Sequence, residues 1–218
     1  MTTANQDPRP RDGSEHAHHL AELIRLQFVL TDFVPHIYRL LAAGEPITVE
    51  QLAAAGGWST ADVRAEAARN PGMDWDDAGR IAGFGLTLRP TPHRFTFDGR
   101  TVYAFCASDA LLFPVILERP GVIESTCPGT GQSIRVEVSP DTATSIDPPQ
   151  AVVSRIRPDH AVADIRAEIC APGNFFSSPH AATDWLTANP NGEVVPLADD
   201  FATTRRAATE LGWTTTRR

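Results

Sequence analysis

The chain has 218 residues, of which 42% are hydrophobic, and this is enough to bury a core in one domain or in two small ones. Its 27 acidic residues outnumber its 19 basic residues, and the net charge of -8 opposes sequence-independent binding to nucleic acid or to anionic lipid. We therefore expect no nucleic-acid partner and no membrane partner.

The N-terminal residues 1–13 are polar and rich in proline, a composition that predicts a disordered tail. They contain no apolar run of the kind found in secretory signal peptides. The chain has three cysteines, an odd number without any CxxC pair, which favours reduced thiols over a disulfide framework. We therefore expect a cytoplasmic protein.

Helical patterns follow the tail. Apolar residues recur at helical spacing from Leu20 to Leu30 and again from Phe33 to Leu41. Two capping-box spacings, Thr48 to Gln51 and Ser59 to Asp62, predict two further short helices in a helix-turn-helix arrangement.

The middle of the chain is rich in strand signals. Asp98-Gly99 separates two short alternating segments, Phe95 to Phe97 and Thr101 to Tyr103, and this pattern predicts a β-hairpin. Helices followed by a hairpin look like a winged helix. Further predicted strands are Val122 to Cys127, Ile134 to Val138 and Val152 to Ile156, and further helices lie near Ala161 to Ala167, Thr183 to Ala188 and Phe201 to Leu211. The fold class is therefore α+β: a winged-helix-like three-helix part, then a core of short, mainly antiparallel strands with flanking helices.

Cys106 and Asp109 are candidates for chemistry. The apolar run Ala110 to Phe113 predicts a short helix that stops at Pro114, with Cys106 in its first turn. A helix N-terminus lowers the pKa of a cysteine, and a carboxylate three residues later lies on the same helix face. An isolated Cys-x-x-Asp is nevertheless more typical of core packing, because free cysteine is among the most buried residue types. From these residues alone, packing, soft-metal binding and nucleophilic chemistry all remain open.

A longer set of motifs points to one family. The segment Tyr103 to Pro114, with sequence YAFCASDALLFP, resembles the active-site segment of the organomercurial lyases, also called alkylmercury lyases. Further segments similar to that family follow in order along the chain: Gly83 to Leu88, Ser125 to Gly131, Ala163 to Arg166 leading to Cys170, Phe175-Phe176 and Asp184-Trp185. The resemblance runs from about Thr31 to Trp185.

The resemblance implies a catalytic set of Cys106, Asp109 and Cys170, with Cys127 in a structural position. The same three catalytic residues would hold the mercury of substrate and product. It also implies an N-terminal winged-helix-like part and a compact core, without an organic cofactor or resident metal. With the tail at 1–13, we therefore expect a winged-helix-like domain at 14–100 and a catalytic α+β core at 101–218. In the family a second cysteine often adjoins the one that matches Cys170, whereas this chain has Ala171.

The chemistry implied is protonolysis of a carbon–mercury bond. Mercury(II) is a soft cation that prefers thiolates, and a nearby carboxyl group would deliver a proton to the bound carbon. Burial and like charge are expected to raise the pKa of that carboxyl group. The products would be a hydrocarbon and Hg(II) held by Cys106 and Cys170, which free thiols and a mercuric reductase would accept. Phe105, Phe113, Phe175 and Phe176 either line an apolar pocket or pack in the core.

A winged-helix metal-responsive DNA-binding regulator is the main alternative. Between residues 47 and 70 the basic residues are Arg64 and Arg69, against Glu50, Asp62 and Glu66, so the predicted recognition segment has no basic cluster for phosphate. A thiol-redox enzyme and a zinc module are also open, but both normally need paired cysteine spacings that this sequence lacks.

Overall fold

The N-terminal helices begin where the sequence predicts caps. In the computed structural model, which describes residues 13–30, 32–157 and 162–214, Thr48 and Ser59 each form a complete capping box with the residue three positions later. Gly57 ends the first of these two helices in the left-handed conformation that glycine tolerates. The predicted tail lies outside the described residues except for Gly13, which begins the first helix.

The described α-helices are Gly13–Gln27 (α1), Phe33–Leu41 (α2), Val49–Gly56 (α3), Thr60–Arg69 (α4), Ala107–Leu117 (α5), Thr183–Ala188 (α6) and Leu197–Glu210 (α7). The described strands are Asp74–Trp75 (β1), Ile81–Phe84 (β2), Leu86–Thr87 (β3), His93–Phe97 (β4), Arg100–Ala104 (β5), Gly121–Thr126 (β6), Ser133–Val138 (β7), Ala143–Asp147 (β8), Val152–Ile156 (β9), Phe175–Phe176 (β10) and Gly192–Pro196 (β11).

Two antiparallel sheets form from these strands. One has the order β1-β2-β3-β5-β4-β6-β7-β8, and the other has the order β10-β9-β11. The predicted hairpin is β4-β5, in which Asp98 and Gly99 both have positive φ, as a tight two-residue hairpin turn requires. The fold class predicted from the sequence is confirmed. The predicted domain division after residue 100 lies within β5 and stays a prediction.

Helix α5 is the central element, because it contacts α2, α7 and strands of both sheets. The prediction that this helix stops at Pro114 is wrong, since it continues to Leu117. Proline inside a helix costs about 3 kcal/mol, but Val115 and Ile116 beyond it are buried, and each such side chain gains about 1.5–3 kcal/mol by leaving water. Packing therefore outweighs the lost backbone hydrogen bond.

The helix predicted near Ala161 to Ala167 is also misplaced. Residue 161 lies outside the described residues, and the helical segment found here is a π-helix, Arg166–Cys170. A π-helix widens the backbone by one residue per turn and is often found at functional sites. No local apolar period marks it in the sequence.

None of the described helices is both long and apolar enough to span a membrane.

Candidate active site

Cys106 lies at the junction between β5 and α5, where it is the N-cap of the helix rather than a residue of its first turn. Its Sγ atom accepts a hydrogen bond from the backbone N–H of Asp109 at 3.3 Å. The Cys106 thiol in turn donates to Oδ2 of Asp109, with 3.1 Å between the sulfur and the oxygen. The two side chains are therefore joined through the first turn of α5, as their spacing predicts.

Cys170 reaches the same place from the end of the π-helix. The loop after it turns tightly, because Gly173 N–H donates to the Cys170 carbonyl at 2.8 Å. The Gly173 carbonyl then accepts from Ala107 N–H at 3.2 Å, which fastens this loop to the start of α5. A Cβ atom at position 173 would lie only 3.0 Å from Cβ of Cys106, so glycine permits the close approach.

The structure brings together the three residues predicted as catalytic. One ligand atom from each of Cys106, Asp109 and Cys170 lies within 4.8 Å of the others. Both cysteines are buried and unpaired, and Asp109 is partly buried. Two soft sulfur ligands and a carboxylate form a set suited to a thiophilic cation, with an acid in reach.

The pKa values of the trio formed by Cys106, Asp109 and Cys170 differ from one sequence-based prediction. The hydrogen bond with Cys170, burial and the negative charge of Asp109 together raise the pKa of Cys106 well above its ordinary value. For Cys170, hydrogen bonding to Cys106 lowers the pKa, but burial and Asp109 prevail and raise it. The prediction that the helix N-terminus gives Cys106 a low pKa is therefore wrong. Both cysteines keep their protons at neutral pH.

The predicted shift of the carboxyl group has the right direction. Burial raises the pKa of Asp109, and the hydrogen bonds from Cys106 and Tyr38 oppose that rise only in part. A carboxyl group with a raised pKa is easily protonated when a neighbouring thiol loses its proton. Asp109 is thus placed to accept a proton and to pass it on.

Tyr38 is a neighbour of the trio that no sequence motif predicts. Its hydroxyl donates to Oδ1 of Asp109 at 3.2 Å, from helix α2. Burial, followed by the charge of Asp109, raises the pKa of Tyr38 well above its usual value, so the phenol stays neutral. In the sequence Tyr38 is simply part of an amphipathic helix, and no motif connects it with Asp109.

Arg166 forms one edge of the site. Its guanidinium group lies 3.9 Å from the ring centroid of Phe105 and donates to the Asp74 carboxylate at 2.6 Å. The positive charge favours the thiolate form of Cys170, although it does not reverse the net rise in pKa. In the sequence, Arg166 is the last residue of a family-like segment, and no motif connects it with Cys170.

Cys127 and three of the four phenylalanines lie in the core. Cys127 is fully buried and accepts a hydrogen bond from the Ser177 hydroxyl at 3.6 Å, apart from the trio. Burial raises its pKa, but hydrogen bonds from Thr130 and Ser177 outweigh that effect and bring it to about 7. Phe113, Phe175 and Phe176 are buried, in agreement with core packing.

Two family models match the chain. The model described as alkylmercury lyase matches residues 86–209, and the model described as the helix-turn-helix domain of alkylmercury lyase matches residues 31–85. The trio lies within the first match, whereas Tyr38 lies within the second. Together the two matches cover most of the chain.

Several named proteins are similar along most of their length. The alkylmercury lyases of Staphylococcus epidermidis and Streptomyces lividans are 44% and 46% identical over 165 residues, which is 76% of this chain and 76% of each relative. The alkylmercury lyase of Pseudomonas putida is 39% identical over 76% of this chain and 77% of its own. A crystal structure of the mercury-bound form of MerB2 has the same fold, with a TM-score of 0.68 at 22% identity, covering 93% of this chain and 100% of that chain.

Proposed function

The chain belongs to the alkylmercury lyase family, and we propose that it cleaves the carbon–mercury bond of organomercurials by protonolysis at Cys106, Cys170 and Asp109. The observation that carries this assignment of roles is the contact of 3.1 Å between the Cys106 thiol and the Asp109 carboxylate, with Cys170 in reach. Soft ligands and a proton acceptor thus share one buried site.

The raised pKa values of Cys106 and Asp109 are compatible with the first step, which is capture of the organomercury cation. An organomercury cation arrives bound to a small thiolate, and the Cys106 sulfur replaces that ligand on mercury. As the new sulfur–mercury bond forms, the thiol proton passes along the existing hydrogen bond to Asp109. The site therefore needs no preformed thiolate, because the metal itself displaces the proton from sulfur.

Bond cleavage needs the second thiol. Cys170 adds to mercury, and its proton neutralises the small thiolate that leaves. The extra ligand raises electron density on the bound carbon. The carbon–mercury electron pair then takes the proton from Asp109, so a hydrocarbon leaves and mercury remains Hg(II) between two sulfurs. The Cys106 and Cys170 thiols supply two protons in total: one ends on the carbon of the hydrocarbon, and the other ends on the small thiol that leaves.

Turnover then depends on removal of Hg(II) from the site. Two thiolates hold this soft ion tightly, so an excess of free thiols would be needed to exchange it out. Ala171 follows Cys170, so this chain has no adjacent thiol for that exchange. We propose that small thiols and a mercuric reductase accept the product, that no organic cofactor or resident metal takes part, and that the enzyme works in the cytoplasm, where thiols stay reduced.

The DNA-binding alternative finds less support. The two basic residues between positions 47 and 70 already face acidic partners: Arg64 lies 3.3 Å from Glu50, and Arg69 lies 4.0 Å from Glu66. Such pairs leave little positive charge for a phosphate backbone. A helix-turn-helix fold does not by itself fix a function.

Headspace detection of benzene from phenylmercury, with thiol in excess, tests the proposal. We expect benzene from the wild-type protein and a loss of at least about 100-fold in Cys106→Ser and in Cys170→Ser, because a hydroxyl is a hard, poor ligand for mercury. Cys127→Ser is the matched control, since it changes a cysteine outside the trio and should lower stability more than turnover. Near-normal benzene release by either of the first two variants would refute the assigned roles.

A further inference from the structure

The carboxylate of Asp109 is held from two sides. Oδ2 accepts from the Cys106 thiol at 3.1 Å, and Oδ1 accepts from the Tyr38 hydroxyl at 3.2 Å. The Cys170 side chain also hydrogen-bonds to this carboxylate. A carboxylate can rotate about its bond to Cβ, and donors on both oxygens resist that rotation more than donors on one oxygen. Two donors on different oxygens fix which oxygen faces the sulfur.

The Tyr38 hydroxyl is itself fixed in position. The tyrosine is fully buried, and its ring packs edge-on against Phe113 with 5.2 Å between the centroids. Gly85 lies against the hydroxyl so closely that a Cβ atom there would overlap the phenol oxygen, and its φ of +69° also favours glycine. The phenol oxygen is therefore held between Gly85 and Asp109.

We infer that Tyr38 is a positioning residue for the proposed reaction. Its hydroxyl holds the Asp109 carboxylate so that Oδ2 faces both the Cys106 sulfur, which supplies the proton, and the mercury-bound carbon, which receives it. This inference rests on the proposed function. The helix-turn-helix part of the chain therefore supplies a group that orients the proton carrier, although the three reacting residues all lie after residue 85.

The role predicts a split between capture and cleavage. Tyr38 is not a mercury ligand in this scheme, so its loss should leave the affinity of the two cysteine sulfurs for the organomercury cation nearly unchanged. Proton delivery needs the carboxylate in place, and a small misplacement of a reacting group slows a step strongly. A merely structural role would instead weaken capture, cleavage and stability together.

Tyr38→Phe removes the hydroxyl and keeps the ring that packs on Phe113. With enough free thiol that exchange of Hg(II) does not limit turnover, we expect KM for phenylmercury to stay within about twofold and kcat for benzene release to fall about 10-fold. Ile37→Val is the matched control, because it trims a fully buried side chain of the same helix without removing a hydrogen bond. It should lower the melting temperature and leave kcat unchanged.

The outcomes separate the two claims. If wild-type protein releases no benzene, the proposed function fails. If wild type is active and Tyr38→Phe keeps its kcat within twofold, the positioning role is wrong. It is also wrong if Tyr38→Phe and Ile37→Val lose kcat in parallel with their melting temperatures, since that pattern describes stability alone.

Discussion

At the scale of single residues, Cys106 shows which of two effects decides a pKa. A helix N-terminus stabilises an anion by about 0.3–1 kcal/mol, which is less than one pKa unit. Burial shifts a pKa by up to about 3–5 units, and a neighbouring carboxylate adds to it. Cys106 is an N-cap, but its hydrogen bond with Cys170, its burial and the Asp109 carboxylate together raise its pKa, so the thiol keeps its proton.

Asp109→Asn tests the proton path at this scale. The amide can still accept from Tyr38 but cannot carry the proton. The small thiolate that leaves can take the Cys106 proton instead, so mercury capture should persist while hydrocarbon release slows about 100-fold. Single-turnover experiments with phenylmercury would follow thiol loss and benzene release separately, with wild type as the reference. An unchanged release rate would remove Asp109 from the proton path.

At the scale of elements, local sequence signals determine some conformations and tertiary packing determines others. The two capping boxes and the Asp98-Gly99 turn depend on residues within four positions of one another, and the sequence predicted all three. Pro114 and the π-helix were mispredicted, because their conformations depend on what packs around α5 and on the loop that returns to it. Elements set by neighbours in sequence are predictable, whereas those set by neighbours in space are not.

The contact between β4 and β6 gives a pH prediction at this scale. His93 of β4 is buried against Ser125 of β6, with 2.9 Å between Nδ1 and Oγ, and burial lowers its pKa from 6.5 to about 4. The unfolded chain therefore binds a proton before the folded protein does as pH falls. The stability is fully present above about pH 6.5 and is lost as pH falls from there toward 4.

We expect wild type to lose about 2 kcal/mol more stability than His93→Asn between pH 7 and pH 5. The asparagine amide can take the place of Nδ1 beside Ser125 but does not titrate in this range. Urea unfolding at both pH values measures the difference, and the other titrating groups, which the two proteins share, cancel. Equal losses in the two proteins would contradict a neutral buried histidine.

At the scale of the whole molecule, the two family matches meet inside one structure. They join between residues 85 and 86, where β2 and β3 pair through Phe84 and Leu86. A single hydrophobic cluster also includes Phe33 of α2 and Phe113 of α5. The helix-turn-helix part is therefore packed into the same core as the reacting residues.

A chain that starts at Leu86 tests this shared core. It would lose α2, which packs on α5, and β2, which pairs with β3, so we expect it to lack cooperative unfolding. Thermal melts followed by circular dichroism would compare it with the full chain. A sharp transition in the shortened chain would show that residues 86 to 218 fold alone.

The sequence by itself determined the fold class, the caps, the hairpin and, through its family-like motifs, the membership of Cys106, Asp109 and Cys170 in one site. Tertiary structure alone decided that Tyr38 joins them and that the thiols keep their protons. The physical reason is the distance along the chain over which each property is determined. Caps and turns depend on adjacent residues, whereas burial, a pKa and a contact between α2 and α5 are sums over the whole fold.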